Sequence, residues 1–449
     1  MAGLVAACHG AEVVVLEKTT EAGGGTALSH KGLRGAGTRY QQALGIEDDP
    51  AGYAEEIIRR NRGESDEGVV RRLAEVSGRM IDFLGDEAGI EFYLDDFSFG
   101  QSARRSHTWT SSHTIADYLF AALSRRRGAE IRFLTTAMSL VSNSDGGVTG
   151  VIANDQPLVA GKVILASGGF GASREMLAGH IPKAVGIPFP GHSGSTGDGI
   201  AMGVTVGGVL ENMGSFQPYP AHIGPGKRGL PPGVIMSGGI MVDATGRRFV
   251  DESTYPGGVA AAMLDLPGCR AFEVFDETVF REHQEGPAER ALGAMVDGGD
   301  LKRAGSLAHL ADALGVESVG LATSVAAYNA HAGSTDEFGR RVARELVAPF
   351  YGAEVTVALY HTQGGLRINR DAQVLRADGS VIENIYAGGG VTAGLSGGGV
   401  DGYLPGNGLL ASLGLGLLAA EHAVASLSRP DLQVRHNEPP SPGDEKSLD

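Results

Sequence analysis

Residues 11–18 read AEVVVLEK, and a short turn later residues 23–26 read GGGT. A β-branched run that ends in an acid is typical of a buried parallel strand. Two other buried runs have the same form: residues 162–166 (KVILA) lead into SGG, and residues 383–387 (ENIYA) lead into GGG. Glycine lets the backbone approach a phosphate, and a helix N-terminus beyond it presents free N–H groups. These clusters predict an α/β fold in which one nucleotide cofactor contacts all three.

The composition argues against several classes of protein. The 449 residues include 37 basic and 53 acidic ones, and the net charge of −16 disfavours a nucleic-acid or anionic-membrane partner, because both require clustered positive charge. The 70 glycines show no Gly-X-Y period, so they must serve local positions. Two cysteines offer neither a disulfide framework nor a metal cluster, which favours a cytoplasmic protein. The longest apolar run, residues 408–420, is too short for an integral membrane segment.

The chain changes character twice along its length. Residues 50–89 and 307–332 each have apolar residues at helical spacing over a long range. From about residue 217 to 356 strands and helices are mixed, as in a second domain. After that the earlier pattern, in which a strand leads into a glycine cluster, returns. The tail from residue 428 is rich in proline, serine and charge, so we expect residues 428–449 to be disordered.

Eight stretches, in family order, resemble the flavoprotein family of fumarate reductase and succinate dehydrogenase, which also contains the 3-ketosteroid dehydrogenases. They are residues 12–18, 23–26, 163–170, 196–200, 246–252, 361–365, 385–389 and 406–410. The resemblance implies an α/β architecture, in which a Rossmann-like FAD-binding domain (residues 1–216 and 357–427) is interrupted by an α+β capping domain (residues 217–356). A small-molecule substrate would lie between the two domains, over the flavin ring.

The resemblance also assigns cofactor roles to particular positions. Glu17 would hold the adenosine ribose hydroxyls, although a solvated acid at a strand end gives the same pattern. Asp198 would approach the cofactor, or it would cap the helix that follows. The segment from Asn407 to Leu410 would direct a helix N-terminus at the N1/O2 edge of the flavin, where negative charge develops. The other expected contacts are Gly3, Lys18, Gly24, Gly25, Thr26, Gly32, Ala166, Gly168, Gly389, Gly390, Gly408 and Leu409.

Part of the family pattern is missing from the cofactor segments. In succinate dehydrogenases a histidine after the first glycine cluster bonds covalently to FAD, but Gly25 stands at that place here, so we expect non-covalent FAD. The opening strand and the first two glycines of Gly-x-Gly-x-x-Gly have no counterpart, and Gly3 can supply only the third. Either the sequence starts late, which we favour because the other segments are intact, or part of the FAD cradle is lost. An acid often found near the last cluster is replaced by Gly390.

The substrate-binding positions depart further from the fumarate reductase pattern. Tyr219, Tyr255 and Tyr403 stand at or beside the places of a histidine and two arginines, and only His361 is retained. Carboxylates are bound best by arginine forks, so a C4 dicarboxylate is a poor candidate substrate. In 3-ketosteroid dehydrogenases one tyrosine takes the proton α to a ketone and another hydrogen-bonds the carbonyl. By position, Tyr255 resembles the first of these and Tyr403 the second.

The leading hypothesis is therefore an FAD-dependent oxidoreductase that acts on a CH–CH bond beside a carbonyl, in a ketone or steroid-like substrate. One alternative is a reductase of unsaturated carboxylic acids, which would need an arginine from elsewhere, for example Arg247, Arg248 or Arg367. Another is an inactive remnant that binds FAD poorly. Each tyrosine could also be a wall residue with its hydroxyl hydrogen-bonded. The sequence contains no Cys-x-x-Cys-His haem motif and no iron–sulfur cysteines, so the electron acceptor is left open.

Overall fold

The computed structural model describes residues 1–29, 32–96, 101–224, 229–254, 256–284 and 292–427. The predicted disorder of the tail from residue 428 lies outside these residues. The first part of the chain alternates helices with short strands. Its elements are α1 (Ala2–Cys8), β1 (Val13–Leu16), α2 (Gly24–Leu28), β2 (Leu33–Arg34), α3 (Arg39–Ala43), α4 (Pro50–Arg60), α5 (Glu67–Ala88), β3 (Tyr93–Leu94), β4 (Ser106–Thr108), α6 (Ile115–Ser124), β5 (Ala129–Arg132), β6 (Ala137–Ser142), β7 (Val148–Ala153), β8 (Gln156–Val159), β9 (Val163–Leu165), α7 (Arg174–His180) and α8 (Asp198–Thr205).

The remainder contains longer strands and ends in a long helix. Its elements are β10 (Leu210–Glu211), β11 (Phe216–His222), α9 (Pro232–Met236), β12 (Ile240–Val242), α10 (Pro256–Met263), β13 (Arg270–Asp276), α11 (Glu277–His283), α12 (Leu292–Asp297), β14 (Lys302–Ala304), α13 (Leu307–Leu314), α14 (Ser318–Ala330), β15 (Phe350–Thr362), β16 (Gly365–Leu366), β17 (Gln373–Leu375), β18 (Val381–Ala387) and α15 (Asn407–Leu427).

Each long helical stretch of the sequence forms two helices instead of one. The first is divided between α4 and α5, where Gly63 has φ of 72° and Asp66 caps the second helix by accepting the N–H of Val69. The second is divided between α13 and α14 by Gly315, whose φ of 73° ends α13 in the left-handed conformation. The helical spacing of apolar residues continues across both breaks, so it does not show where one helix ends and the next begins. A glycine with positive φ at each break sets that boundary.

The parallel strands are distributed over two small sheets. In one, β1 runs parallel to β5, with Val13 opposite Ala129. In the other, β9 runs parallel to β18, with Val163 opposite Ile385, and β17 pairs antiparallel on the far side of β18. No described strand joins the two sheets. Both pairs are parallel, as expected for a Rossmann-like FAD-binding layer.

The middle of the chain forms a separate antiparallel sheet with its own core. Strands follow the order β11, β15, β13 and β12, and β14 also pairs with β15. Buried apolar side chains between residues 219 and 357 form two clusters around this sheet, whereas the main cluster draws on residues 4–216 and 359–423. The middle region thus has apolar clusters of its own, and its identification as a capping domain stays a prediction.

The last helix, α15, is the described helix that is long and apolar enough to cross a membrane. More than half of its most apolar segment, 61%, is buried inside the protein. It packs against α1, α5 and β18 in the main core. Its N-terminus is therefore held at a fixed place relative to the ends of the parallel strands.

Candidate functional site

The end of β1 carries two charged side chains with different partners. Glu17 accepts two hydrogen bonds from Thr19, from N and from Oγ1, both of 2.8 Å. Lys18 extends to α8, where its Nζ lies 2.7 Å from both Thr196 Oγ1 and Asp198 Oδ2. Partial burial acts to raise the pKa of Asp198, but hydrogen bonds from Lys18 and Thr196 outweigh it, and the pKa falls below its usual value. The side chain of Asp198 is thus paired with Lys18 and does not cap α8.

The first glycine cluster faces open space. A Cβ atom built on Gly24 or Gly25 meets no atom within 4 Å. In the next position, Thr26 has its Oγ1 3.5 Å from Oγ of Ser412, on α15. The N–H groups in the first turn of a helix lack intrahelical partners and attract phosphate. Since a pyrophosphate needs both these donors and free space, the start of α2 fits FAD.

The other two glycine clusters lie against each other. A Cβ atom on Gly390 would come within 2.6 Å of the backbone N of Gly169. Gly168 and Gly389 both have positive φ, 78° and 69°. Ala166, at the end of β9, is exposed. The ends of the two parallel strands therefore present bare backbone, which a dinucleotide can approach closely.

Two of the expected cofactor glycines have a packing role. A Cβ atom on Gly3 would lie 3.3 Å from the side chains of Leu123 and Val15, so glycine lets α1 lie close to α6 and β1. Gly32 has φ of 117°, and a Cβ atom there would lie 2.9 Å from Nη1 of Arg34. Contact of these two positions with the cofactor stays a prediction.

The start of α15 meets the end of β15. A Cβ atom on Gly408 would lie 3.2 Å from Nε2 of His361, so glycine permits this close approach. In the same turn Asn407 and Leu410 are buried and Leu409 is half-buried. The 21-residue helix directs the partial positive charge of its N-terminus towards the histidine.

His361 and Tyr403 form an edge-to-face pair, with ring centroids 5.6 Å apart and planes at 68°. Burial lowers the pKa of His361. Burial raises the pKa of Tyr403, although the N–H groups of Gly406 and Gly408 act against it. The positive charge of Arg34 also lowers the pKa of Tyr403. At neutral pH both rings are therefore uncharged and can form hydrogen bonds with a substrate.

Of the two remaining tyrosines, the structure describes Tyr219. Tyr219 donates its hydroxyl hydrogen to the backbone oxygen of Leu230, and its ring stacks on Tyr360 with centroids 4.7 Å apart. Its hydroxyl hydrogen is thus already donated, and the ring belongs to the core of the middle region. Tyr255 lies outside the described residues, directly before α10, so its catalytic role stays a prediction.

The three arginines considered for an acid substrate lie elsewhere. Arg248 is buried and forms ion pairs of 2.6 Å with Glu252 and 2.8 Å with Asp336. Arg367 pairs with a glutamate of β10 at 3.2 Å, and Arg247 is exposed. None of the three joins the histidine–tyrosine pair.

Sequence reasoning missed one arginine near the pair. Arg34 is only 6% exposed, and its Cγ would lie 2.2 Å from a Cβ atom on Gly406, in the turn before α15. An arginine in a two-residue strand matches no motif, and only the fold brings it to this turn. No local signal in the sequence could have identified it.

The glycine-lined cleft and the fold around it define an FAD-dependent oxidoreductase. A family model described as "FAD binding domain" matches residues 1–409. Because this match covers most of the chain, the protein belongs to that family.

Proteins of known activity are similar along most of the chain. NADH:fumarate oxidoreductase of Klebsiella pneumoniae is 29% identical over 416 residues, which cover 88% of this chain and 44% of that protein. The chain thus spans less than half the length of this relative. The open conformation of a flavocytochrome c3 fumarate reductase has a TM-score of 0.79 and 28% identity, over 95% of this chain and 76% of that one. A 3-ketosteroid delta1-dehydrogenase from Sterolibacterium denitrificans has a TM-score of 0.78 at 20% identity, over 95% of this chain and 97% of that one, and shows the common fold alone.

Proposed function

We propose that the protein transfers hydride between bound FAD and a CH–CH bond next to the carbonyl of a ketone or steroid-like substrate. The observation that carries this proposal is the uncharged pair of His361 and Tyr403 at the start of α15. A neutral pair suits a carbonyl oxygen better than a carboxylate, which is bound best by arginine forks. The Tyr403 hydroxyl donates a hydrogen bond to the carbonyl oxygen, and the positive end of α15 stabilises negative charge that develops there.

The residues present fit FAD in an extended arrangement. The first turn of α2 would hold the pyrophosphate, and Glu17 and Lys18 would lie towards the adenosine end. The glycines after β9 and β18 and the start of α15 would contact the flavin half. When bound, FAD supplies a two-electron hydride acceptor or donor. The expected mode of binding is non-covalent.

Desaturation removes a proton from the carbon α to the carbonyl and a hydride from the β carbon, and leaves a C=C bond. We assign the proton to Tyr255, which follows the described segment that ends at Thr254. To accept this proton Tyr255 must act as the phenolate, and hydrogen bonding of the carbonyl to Tyr403 makes the α proton acidic enough for that base. In the reverse direction Tyr255 donates the proton and the double bond is reduced. Tyr219 is assigned to the wall of the middle region.

A second candidate is the reduction of an unsaturated carboxylic acid. The similarity to fumarate reductases at 28–29% identity favours it. Arg34 and the start of α15 supply positive potential near the pair, although a single arginine cannot form the paired clamp that a dicarboxylate prefers. Neither candidate identifies the electron partner. A cytoplasmic location belongs to the same proposal and is supported by the free thiols of Cys8 and Cys269.

The substrate class is tested with purified protein under anaerobic conditions. The ketone function predicts that a saturated 3-ketosteroid bleaches the absorbance of oxidised flavin. The acid reductase predicts instead that chemically reduced flavin is reoxidised by fumarate or acrylate and not by an enone. If FAD is bound and neither class reacts, both candidates are wrong, and a protein that binds no FAD is the inactive remnant.

Tyr403→Phe tests the role of the carbonyl hydrogen bond. We expect turnover to fall about 100-fold, because one donor to a developing oxyanion contributes roughly that factor, while FAD content stays unchanged. The matched control is Tyr93→Phe, at a residue that is 49% exposed, and it should retain full turnover. Full activity in Tyr403→Phe would show that the hydroxyl does not polarise the carbonyl.

A further inference from the structure

Arg34 is built into the turn that begins α15. It ends β2, opposite Ser106 of β4, and is 6% exposed. Its aliphatic stem fills the space that a side chain at residue 406 would need, since a Cβ atom there would lie 2.2 Å from Arg34 Cγ. Gly406 also has φ of 96°, a conformation that favours glycine. The turn and the arginine stem therefore fit together only while residue 406 is glycine.

The guanidinium group is anchored at its far end. Nη1 of Arg34 donates a hydrogen bond of 3.0 Å to the backbone oxygen of Gly32 and another to Oγ of Ser106. Gly32 in turn fits tightly against the same Nη1. With both ends held, the positive charge keeps one place relative to the start of α15.

Arg34 is one of several groups that change the pKa of Tyr403. Burial raises the pKa of this tyrosine, the N–H groups of Gly406 and Gly408 lower it, and the charge of Arg34 lowers it as well. Opposite charges nearby favour the ionised form of a titrating group, and the effect is strong in a buried site. The guanidinium thus acts in the same direction as the positive end of α15.

We propose that Arg34 is a positioning residue that acts through Tyr403. Its fixed positive charge makes the Tyr403 hydroxyl a stronger hydrogen-bond donor to an oxygen that becomes negative. The site is therefore suited to a ketone that passes through an enolate-like state. The part of this inference that concerns the substrate rests on the proposed function. The electrostatic coupling between Arg34 and Tyr403 stands apart from it.

The groups that face Tyr403 set the expected pH behaviour. From β15 His361 is neutral at pH 7, because burial lowers its pKa. From α4, Tyr53 is also neutral, because burial raises its pKa, and Arg60 donates a hydrogen bond of 3.3 Å to the Tyr403 backbone oxygen. Arg60 thus contacts the backbone of Tyr403, whereas the charge of Arg34 acts on its phenol.

The test incorporates 3-fluorotyrosine at position 403 and follows its ¹⁹F chemical shift against pH, with and without FAD. Fluorine lowers the pKa of the phenol and brings its titration into an accessible range. We expect Arg34→Met to raise the midpoint by about one pH unit, because an opposite charge has been removed. Arg34→Lys keeps the charge and should stay within a few tenths of a unit. Arg60→Met is the matched control and should shift the midpoint by less than half as much.

The outcomes separate this inference from the proposed function. An unchanged midpoint in folded Arg34→Met overturns the inference, whatever the activity of Tyr403→Phe. Full activity of Tyr403→Phe together with a raised midpoint overturns the proposed function and leaves the coupling intact. In active enzyme, Arg34→Met should lower kcat about tenfold and leave KM nearly unchanged. If Arg34→Met does not fold, Ser106→Ala, which removes one anchor of the guanidinium, must raise the midpoint in the same direction, and no shift overturns the inference.

Discussion

The histidine–tyrosine site and the middle region of the molecule bury polar groups in different ways. On the cofactor side, glycine backbones meet at the strand ends and the two polar rings of the site are neutral. In the middle region a network of charged side chains is almost completely enclosed, each 3% exposed or less: Arg248, Glu252, Asp336 and Arg340. The middle region thus encloses charge that fixes its structure, and the cofactor side has an enclosed network of its own, in which Arg105 pairs with Asp48 and Glu56.

Such a network stabilises the fold only while each charged side chain in it keeps its partners. Two charges taken out of water regain their hydration energy only through good geometry and complete hydrogen bonding. Glu252 meets this condition, because it accepts hydrogen bonds from Arg248, from Arg340 and from the N–H of Met241. The cofactor side depends on space instead, because its glycine backbones lie so close together that almost no atom can be added between them. The two regions should consequently fail in different ways when changed.

Arg340→Met gives the largest expected loss of stability. It removes one partner of Glu252 and two hydrogen bonds to the backbone oxygens of Gly239 and Ile235, so we expect the free energy of unfolding to fall by about 3 kcal/mol. Denaturant unfolding measures this change. FAD content of the native protein should be unchanged, because the network lies outside the cofactor side.

The matched control for this change is Arg270→Met, which breaks an ion pair with Glu354 whose side chains are 54% and 48% exposed. Exposed pairs contribute roughly 0–1 kcal/mol, so the control should be nearly silent. Equal losses for the two variants, or loss of FAD in Arg340→Met alone, would break the contrast between the two regions.

Glu273→Gln tests a buried carboxyl group whose charged form the middle region does not stabilise. Glu273 is fully buried in β13, and neither carboxyl oxygen has a hydrogen-bond partner among the described residues. Burial, with a smaller contribution from the charge of Glu252, raises its pKa to about 8. The unfolded chain binds a proton there only below about pH 4.3. Stability of the wild type therefore falls as pH rises from about 4.3 towards 8 and stays low above that.

In Glu273→Gln this pH-dependent loss disappears. Relative to its own stability at pH 5, the variant should retain about 2–4 kcal/mol more than the wild type at pH 9, as measured by denaturant unfolding at a series of pH values. Glu354→Gln, at an exposed position on β15, serves as the control and should keep the wild-type slope. An unchanged slope in Glu273→Gln would mean that Glu273 is already ionised at neutral pH.

Gly25→Ala has the smallest expected effect and tests the cofactor side of this comparison. A Cβ atom there meets nothing, so the protein without FAD should unfold at an unchanged or slightly higher temperature, whereas the affinity for FAD should fall about tenfold, or about 1.4 kcal/mol. Gly390→Ala, whose Cβ atom would lie 2.6 Å from Gly169 N, should lower both quantities. Calorimetry and FAD titration distinguish them. Unchanged FAD affinity in Gly25→Ala would remove this turn from the pyrophosphate site.

Local sequence signals predicted the parts of the structure that depend on neighbouring residues. The runs before Glu17, Ala166 and Gly388 form strands, because β-branched residues followed by glycine leave few alternatives. The approach of His361 to Tyr403 was expected only from family resemblance, since no spacing links the two residues. The fold brings them together through Gly408, at the start of α15.

Other features depend on atoms that no local pattern contains. The Tyr219 hydroxyl is bonded to a backbone oxygen, that of Leu230, and main-chain atoms carry no residue signature. Arg34 reaches the turn at Gly406 only because the fold brings β2 against it. Burial, which determines the direction of the pKa shifts of His361 and Tyr403, is likewise a property of the assembled chain.

The two crossings between the middle region and the cofactor side lie next to each other, as β11 and β15 with Phe216 opposite Thr362. Thr362 also accepts the backbone N–H of Phe170 through its Oγ1, at 3.0 Å, next to the second glycine cluster. The end of this two-stranded ribbon is therefore fastened to the cofactor side one residue after His361. A change in the orientation of the middle region would therefore bend the two strands on the far side of Thr362. Because His361 is next to Thr362 and lies against Gly408 of α15, the histidine–tyrosine pair is held on the cofactor side.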